Sequence, residues 1–129
     1  MPDYFRGVNA VAAVTVSERR FGRSTALDLE GCVTFGEGTA TLRRETRRLI
    51  AEGRVEIVMN LAGVRYVDSS GLGEMVAALL AARRAGGQVA LLGLSSNVRE
   101  VFEMTRLVEV FDIYADEAGA LRGMAAGRD

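Results

Sequence analysis

The sequence contains neither histidine nor lysine, so all sixteen of its basic residues are arginine. Without histidine the chain cannot build a Ser-His-Asp triad, an imidazole metal site or an imidazole acid–base catalyst. Without lysine it lacks the phosphate-binding residue of P-loop proteins and kinases, the Schiff-base nucleophile, and the lysine expected in the phosphoaspartate pocket of a receiver domain. These absences exclude most classes of small-domain enzyme, and we expect a protein that is not an enzyme.

Cysteine, net charge and long apolar runs are also scarce. The single cysteine, Cys32, cannot form an internal disulfide or help to build a thiolate metal site, so it is expected to pack as a small apolar group, with no metal and no cofactor. The net charge of −1 provides no basic field for direct binding of nucleic acid or of an acidic membrane. No run approaches the roughly 18 apolar residues of a membrane span, and residues 1–9 lack the pattern of a secretory signal. We therefore expect a cytoplasmic protein.

Length and composition fit one folded unit. With 129 residues, 49% apolar and 26% charged, the chain is long enough for one buried core and too short for two. We expect a single domain over residues 1–129, with its core at about 8–122.

The first half of the chain predicts strands and then a helix. Residues 8–16 are rich in valine and alanine, residues 26–30 alternate apolar and polar side chains, and residues 32–35 form a further apolar piece. From Thr39 to Gly53 the apolar residues follow a helical period, with four arginines on the other side. This cluster of arginines indicates either a solvated helix face or a partner contact.

The second half predicts two buried strands and two long helices. Residues 55–61 and 88–94 are nearly continuous apolar runs, as in strands that are covered on both faces. One helix is expected to follow the first of these strands and to stop at residues 85–87. Another is expected near residues 95–107, with Ser95, Ser96 and Asn97 as N-cap candidates and Glu100 placed to complete a capping box with Asn97.

A short strand at residues 110–114 and a final helix capped by Asp116 complete the pattern. The alternation of strands with helices predicts an α/β domain, a mixed β-sheet packed against about four α-helices. The two N-terminal strands should pair antiparallel, because no helix lies between them.

The segment from Asp68 to Gly73 leaves a predicted strand and starts a strongly patterned helix. Asp68, Ser69 and Ser70 are all favoured N-cap residues, and Gly71 lets the backbone approach a neighbour closely. A helix N-terminus is capped by one side chain, and this turn offers three. Either the other two have no special role, or a spare serine hydroxyl has a further role. A phosphoryl group would be tolerated at this positive helix end, where it would add about −1.5 to −2 charges.

The helix after this turn has an apolar stripe and a face of small residues. The core stripe is expected to be Leu72, Met75, Val76, Leu79 and Leu80, and the opposite face Gly73, Ala77, Ala78, Ala81 and Ala82 with Glu74 and Arg84. Small residues either favour helix at a loosely packed surface or let a partner pack closely. Because this face begins at the same terminus as Ser69, a phosphate there would point into a partner docked on it.

Asp68-Ser69-Ser70-Gly71-Leu72-Gly73 resembles the signature of the STAS domain, the sulfate transporter and anti-sigma factor antagonist domain. The resemblance extends over about residues 31–121 and includes Ala85-Gly-Gly87 and Phe102-Glu-Met-Thr-Arg-Leu107. It implies an anti-sigma factor antagonist that acts in signal transduction and transcription regulation by partner switching. The unphosphorylated form would bind an anti-sigma factor serine kinase and free a sigma factor, phosphorylation of Ser69 would release it, and a serine phosphatase would restore it.

The resemblance also implies roles for single residues. Asp68 would shape the acceptor turn, while Ser70 and Gly71 would allow close docking. With the adjoining helix, the expected partner-binding residues are Asp68, Ser69, Ser70, Gly71, Leu72, Gly73, Glu74, Ala77 and Ala78.

The chain departs from the family pattern before its first helix. Gly31-Cys-Val-Thr-Phe-Gly-Glu-Gly38 stands where many members have Gly-x-Leu-Asp, so this turn and the partner footprint should differ. An alternative function keeps the fold: a constitutively docked accessory or scaffold subunit of a lipid-transport ATPase or a stress-signalling complex. In either role we expect a monomer or weak dimer.

Overall fold

Strands and helices alternate along residues 14–126, the part of the chain that this computed structural model describes. The strands are β1 (Val14–Phe21), β2 (Ser24–Val33), β3 (Glu56–Val67), β4 (Gln88–Leu92) and β5 (Asp112–Tyr114). The helices are α1 (Glu37–Ala51), α2 (Ser69–Arg84), α3 (Ser96–Met104) and α4 (Glu117–Ala126), with a short 3-10 turn at Leu107–Glu109. None of these helices, within the described residues, has the length and apolar character needed to cross a membrane.

The strands form one mixed sheet in the order β1-β2-β3-β4-β5. β1 and β2 pair antiparallel through a two-residue turn, in which Gly22 has a φ of 62°. Glycine at the first position of such a turn is typical of tight hairpins, since L-residues rarely adopt a positive φ. The other neighbouring pairs are parallel. The predicted mixed α/β sheet with its antiparallel N-terminal pair is therefore confirmed.

The helices that connect parallel neighbours share one face of the sheet. Right-handed crossovers between successive neighbouring strands place each helix on the same side. α1, α2 and α3 accordingly bury Leu49, Met75 and Phe102 against the sheet in one large core. α4 follows the last strand and covers the other face, where Ala120 and Met124 belong to a second, smaller core.

The ends and the beginnings of β2 and β3 lie at opposite edges of this sheet. β2 and β3 run in the same direction, and Val33 is the partner of Val67 where both strands end. The turns that lead into α1 and α2 therefore meet at this edge. The opposite edge carries the beginnings of β2 and β3, near the register pair of Thr25 and Ile57.

Several predicted strand bounds were wrong, some of them too short and others too long. The first strand, expected at residues 8–16, lies at Val14–Phe21, and residues 8–13 are outside the described part of the chain. The pieces predicted at 26–30 and 32–35 belong largely to one strand, Ser24–Val33, which runs through Gly31 although that residue has a φ of 111°. The strand expected at 55–61 continues to Val67. Cys32 is buried, as expected.

The predicted end of α3 was wrong, and of its three N-cap candidates Ser95 is the one that the structure confirms. Ser95 is the N-cap, and its hydroxyl accepts a hydrogen bond from the amide of Val98, so Asn97 and Glu100 form no capping box. α3 ends at Met104 because Arg106 adopts a left-handed conformation with a φ of 63° and turns the chain into the 3-10 segment. The predicted cap of the last helix is confirmed, since the Asp116 carboxylate accepts from the amide of Gly119.

Candidate functional site

The turn between β3 and α2 is organised by one carboxylate. Asp68 is the N-cap of α2, and its Oδ1 accepts a hydrogen bond of 2.8 Å from the amide of Gly71. Its Oδ2 accepts one of 3.0 Å from the amide of Phe35, in the loop after β2. The amide of Asp68 in turn donates to the carbonyl of Val33 over 3.3 Å. The Asp68 side chain thus joins the loop before α1 to the first turn of α2.

Gly71 is required where it stands. A Cβ atom at this position would lie 2.1 Å from the carbonyl oxygen of Val33 and 2.9 Å from Cγ1 of Val67. The first turn of α2 therefore lies directly against the ends of β2 and β3. The close backbone approach predicted at Gly71 is confirmed, and the neighbour is a strand of the same chain.

The two serines differ in their surroundings. Ser69 is the first residue of α2 and is exposed, whereas Ser70 is half-buried. Since Asp68 provides the cap, the Ser69 hydroxyl is not used for it, and within residues 14–126 no hydrogen bond engages that hydroxyl. Ser69 also lies at the positive end of a sixteen-residue helix, where added negative charge is stabilised.

The small-residue face predicted for α2 is partly wrong. Ala78 is only 4% exposed and Ala82 is fully buried, so both pack in the main core rather than on the outer face. Leu80, expected in the core, is 44% exposed. The buried face of α2 is therefore rotated from the predicted one, toward Ala78 and Ala82.

The remaining predicted residues of α2 divide between surface and core. Gly73 and Ala77 are exposed, and a Cβ atom at Gly73 would meet nothing within 4 Å. Leu72 is 7% exposed and belongs to the core. The side chain of Glu74 is 10% exposed because Arg43 of α1 pairs with it over 2.8 Å. This hydrogen bond raises the pKa of the Arg43 guanidinium and links α1 to α2 beside the turn.

Sequence reasoning missed Phe35. Its side chain is 83% exposed, the largest value among the exposed large apolar side chains of the described residues. Its amide is held by the same carboxylate that caps α2, so Phe35 lies beside the Ser69 turn. The available signal was a lone aromatic residue between the end of a strand and a glycine, where few core contacts are possible.

Comparisons with known proteins agree with this architecture. A family model described as STAS domain matches residues 22–120. The anti-sigma-B factor antagonist of Bacillus subtilis (strain 168) is 31% identical over 84 residues, which cover 65% of this chain and 77% of that protein.

Solved structures show the same fold. An anti-sigma factor antagonist from Mycobacterium paratuberculosis superposes with a TM-score of 0.76 at 19% identity, over 92% of this chain and 97% of that one. The Bacillus cell fate determinant SpoIIAA in its phosphorylated form superposes with a TM-score of 0.66 at 22% identity, over 84% of this chain and 97% of that one.

Proposed function

This chain belongs to the STAS domain family, and we propose that it is an anti-sigma factor antagonist controlled by phosphorylation of Ser69. In its unphosphorylated form it binds an anti-sigma factor serine kinase, which then releases a sigma factor. Phosphorylation of Ser69 ends that complex, and a serine phosphatase regenerates the active form. The chain is the substrate of both reactions and catalyses neither.

The main support for this proposal is that the Ser69 hydroxyl is exposed and is not used to cap the helix. It is exposed on the first turn of α2, and the capping role that a serine commonly has there belongs to Asp68. A kinase can therefore reach the hydroxyl without first breaking a native hydrogen bond. The names of the relatives support the same function, and the phosphorylated SpoIIAA is a protein of this fold that carries phosphate.

The transfer itself would be carried out by the kinase. The Ser69 oxygen attacks the γ-phosphorus of ATP, the bond to the β,γ-bridging oxygen breaks, and ADP leaves. The serine proton goes to a base of the kinase. The phosphatase reverses the change by hydrolysing the phosphoserine with water.

The added charge acts on docking rather than on folding. A phosphoserine brings about −1.5 to −2 charges to a helix N-terminus, where the free amides and the helix dipole favour an anion. The isolated protein should therefore stay folded. In a closely packed complex, the same dianion would have to lose water against the partner surface, which weakens binding.

The surface available for the partner surrounds Ser69. It comprises Phe35 on one side and the outer residues Gly73, Ala77 and Leu80 of α2 on the other. The packing of this chain does not require glycine at position 73, since a Cβ there would be free of contacts. Close packing by a partner helix or loop explains why position 73 is a glycine. Asp68 and Gly71 act indirectly, by fixing the turn, and Ala78 is removed from the predicted set because it is buried.

Phosphosite mapping tests the proposal directly. The protein is incubated with ATP and each purified anti-sigma factor serine kinase of its source organism, and the modified residue is identified by mass spectrometry. We expect phosphate on Ser69, none on Ser69→Ala, and normal incorporation into the control Ser70→Ala. Phosphate on another residue in all three proteins would refute the assignment.

Binding measurements test the switch. Ser69→Ala should bind the kinase as the unmodified protein does, whereas the phosphoprotein should bind about 100-fold more weakly, a difference of roughly 2.7 kcal/mol. Ser69→Glu should show part of that loss. Equal binding by all forms would instead favour the constitutively docked accessory subunit.

Phe35 provides a second test of the surface. Phe35→Ala should weaken kinase binding at least tenfold, because exposed aromatic residues at an interface centre commonly contribute more than 1.4 kcal/mol. Met104→Ala is the matched control, since Met104 is 77% exposed at the end of α3. Equal effects of both substitutions would remove Phe35 from the footprint.

A further inference from the structure

A cleft of about 380 Å³ lies at the edge of the sheet opposite the Ser69 turn. It is formed between the β1–β2 turn, the first residues of β2, and the segment that connects α1 to β3. Three arginines line it, Arg20, Arg23 and Arg54, together with Thr25 and one carboxylate, Glu56. The volume is in the range of small-molecule sites, which begin at about 300 Å³.

The inner part of the cleft is fixed by Arg54. Its guanidinium pairs with Glu18, with Glu52 over 3.2 Å, and through Nε with the hydroxyl oxygen of Thr25 over 3.3 Å. Arg54 is thus already neutralised by acidic side chains. Thr25 is 5% exposed as a residue, and its hydroxyl oxygen accepts a hydrogen bond from Arg54 and keeps its own proton to donate.

The two arginines at the mouth of the cleft are different. Arg20 and Arg23 are exposed, and no ion pair involves either of them within residues 14–126. Arg19, Arg43 and Arg48, by contrast, are all paired with carboxylates. The cleft therefore presents two unneutralised guanidinium groups next to a buried hydroxyl donor.

We propose that this cleft binds a small phosphate monoester. The dianionic phosphate lies between Arg20 and Arg23, whose forked N–H groups match phosphate oxygens, and accepts a further hydrogen bond from the Thr25 hydroxyl. The remaining volume holds the organic part of the ester. The site is independent of the partner switch, because β2 separates Thr25 at one edge of the sheet from Val33 at the other.

Titration of the ¹⁵N-labelled full chain, followed by NMR, tests this site. The probes are ribose 5-phosphate, inorganic phosphate and ribose, each at constant ionic strength. We expect saturable shifts of the Gly22 and Gly53 amides, which line the cleft, with both phosphate-containing probes and none with ribose. Tighter binding of ribose 5-phosphate assigns the site to the ester, and equal binding assigns it to the phosphate group alone.

Two charge-neutralising variants complete the test. Arg20→Gln and Arg23→Gln should each weaken binding about tenfold or more, as expected when a charge-assisted hydrogen bond is lost. Arg84→Gln is the control, because Arg84 is an exposed arginine at the end of α2, outside the cleft. Shifts that fail to saturate, that appear with ribose, or that persist unchanged in both variants would overturn the proposal.

Discussion

Replacing Gly71 by alanine would force a methyl group against the backbone of β2. The new Cβ atom would lie 2.1 Å from the carbonyl oxygen of Val33, far inside the 3.4 Å at which ordinary contact begins. That oxygen belongs to the end of a buried strand and cannot rotate away as a flexible side chain would. The first turn of α2 must therefore move, and with it the cap made by Asp68.

The magnitude follows from two opposing effects. Overpacking that shifts the backbone costs about 1–3 kcal/mol, and a backbone obstacle favours the upper part of that range. Alanine in a helix returns about 0.5–1 kcal/mol relative to glycine. We expect Gly71→Ala to lower the free energy of unfolding by about 2 kcal/mol. Gly73→Ala, two residues along the same helix and free of contacts, should raise it by about 0.5–1 kcal/mol.

Urea unfolding followed by far-UV circular dichroism measures both variants, with thermal unfolding as a second readout. For a chain of this size, about 2 kcal/mol corresponds to a fall in Tm of roughly 6–10 °C. Although Gly73→Ala should be the more stable of the two variants, its binding to the kinase should be weakened. The reason is that its added methyl group lies on the proposed interface. If Gly71→Ala were as stable as the unmodified protein, the packing described for this turn would be wrong.

Three further changes test other parts of the fold. Asp68→Ala removes the cap of α2 and the acceptor for the Phe35 amide, so we expect a loss of about 1–2 kcal/mol in urea unfolding and slower phosphorylation; unchanged values would contradict the role of this carboxylate. Arg106→Gly relieves the only positive φ of a non-glycine residue within residues 14–126 and should raise the free energy of unfolding by about 1 kcal/mol, whereas a less stable variant would argue against strain there. Hydrogen bonding from the Arg19 guanidinium holds the pKa of Asp28 below its usual range, so this stabilisation is present above the pKa of the unfolded chain and is lost as pH falls through the lower folded-state pKa. Asp28→Asn should therefore cost about 1 kcal/mol at neutral pH and almost nothing in strong acid; a loss that is constant with pH would show that the charge is not responsible.

The order and type of the elements could be predicted because their signals are local. Apolar runs at residues 55–61 and 88–94 mark two of the strands, and the helical period after Leu72 marks α2. The missing helix between the first two strands predicts their antiparallel pairing. Boundaries were less accurate, because strand length depends on how far a neighbouring strand continues to offer hydrogen bonds. β3 continues past Leu61 since β2 pairs with it as far as Val67.

The orientation of α2 could not be predicted from its own residues. Its apolar and small positions overlap around the helix, so a rotation by one residue changes the predicted faces without breaking the pattern. Packing against the sheet decided it, with Ala78 and Ala82 where the helix lies close and Leu80 at the surface. Because this orientation buries Ala78, that residue no longer belongs to the expected partner-binding residues.

The sequence by itself determined the succession of strands and helices and the presence of a serine after an aspartate where a buried strand meets a helix, because chain connectivity and side-chain periodicity are local properties. Only the tertiary structure decided what surrounds that serine. Phe35 comes beside it through a hydrogen bond that joins positions 33 residues apart, and Gly71 touches a strand from the first half of the chain. Such contacts depend on how distant segments pack, which no local pattern encodes.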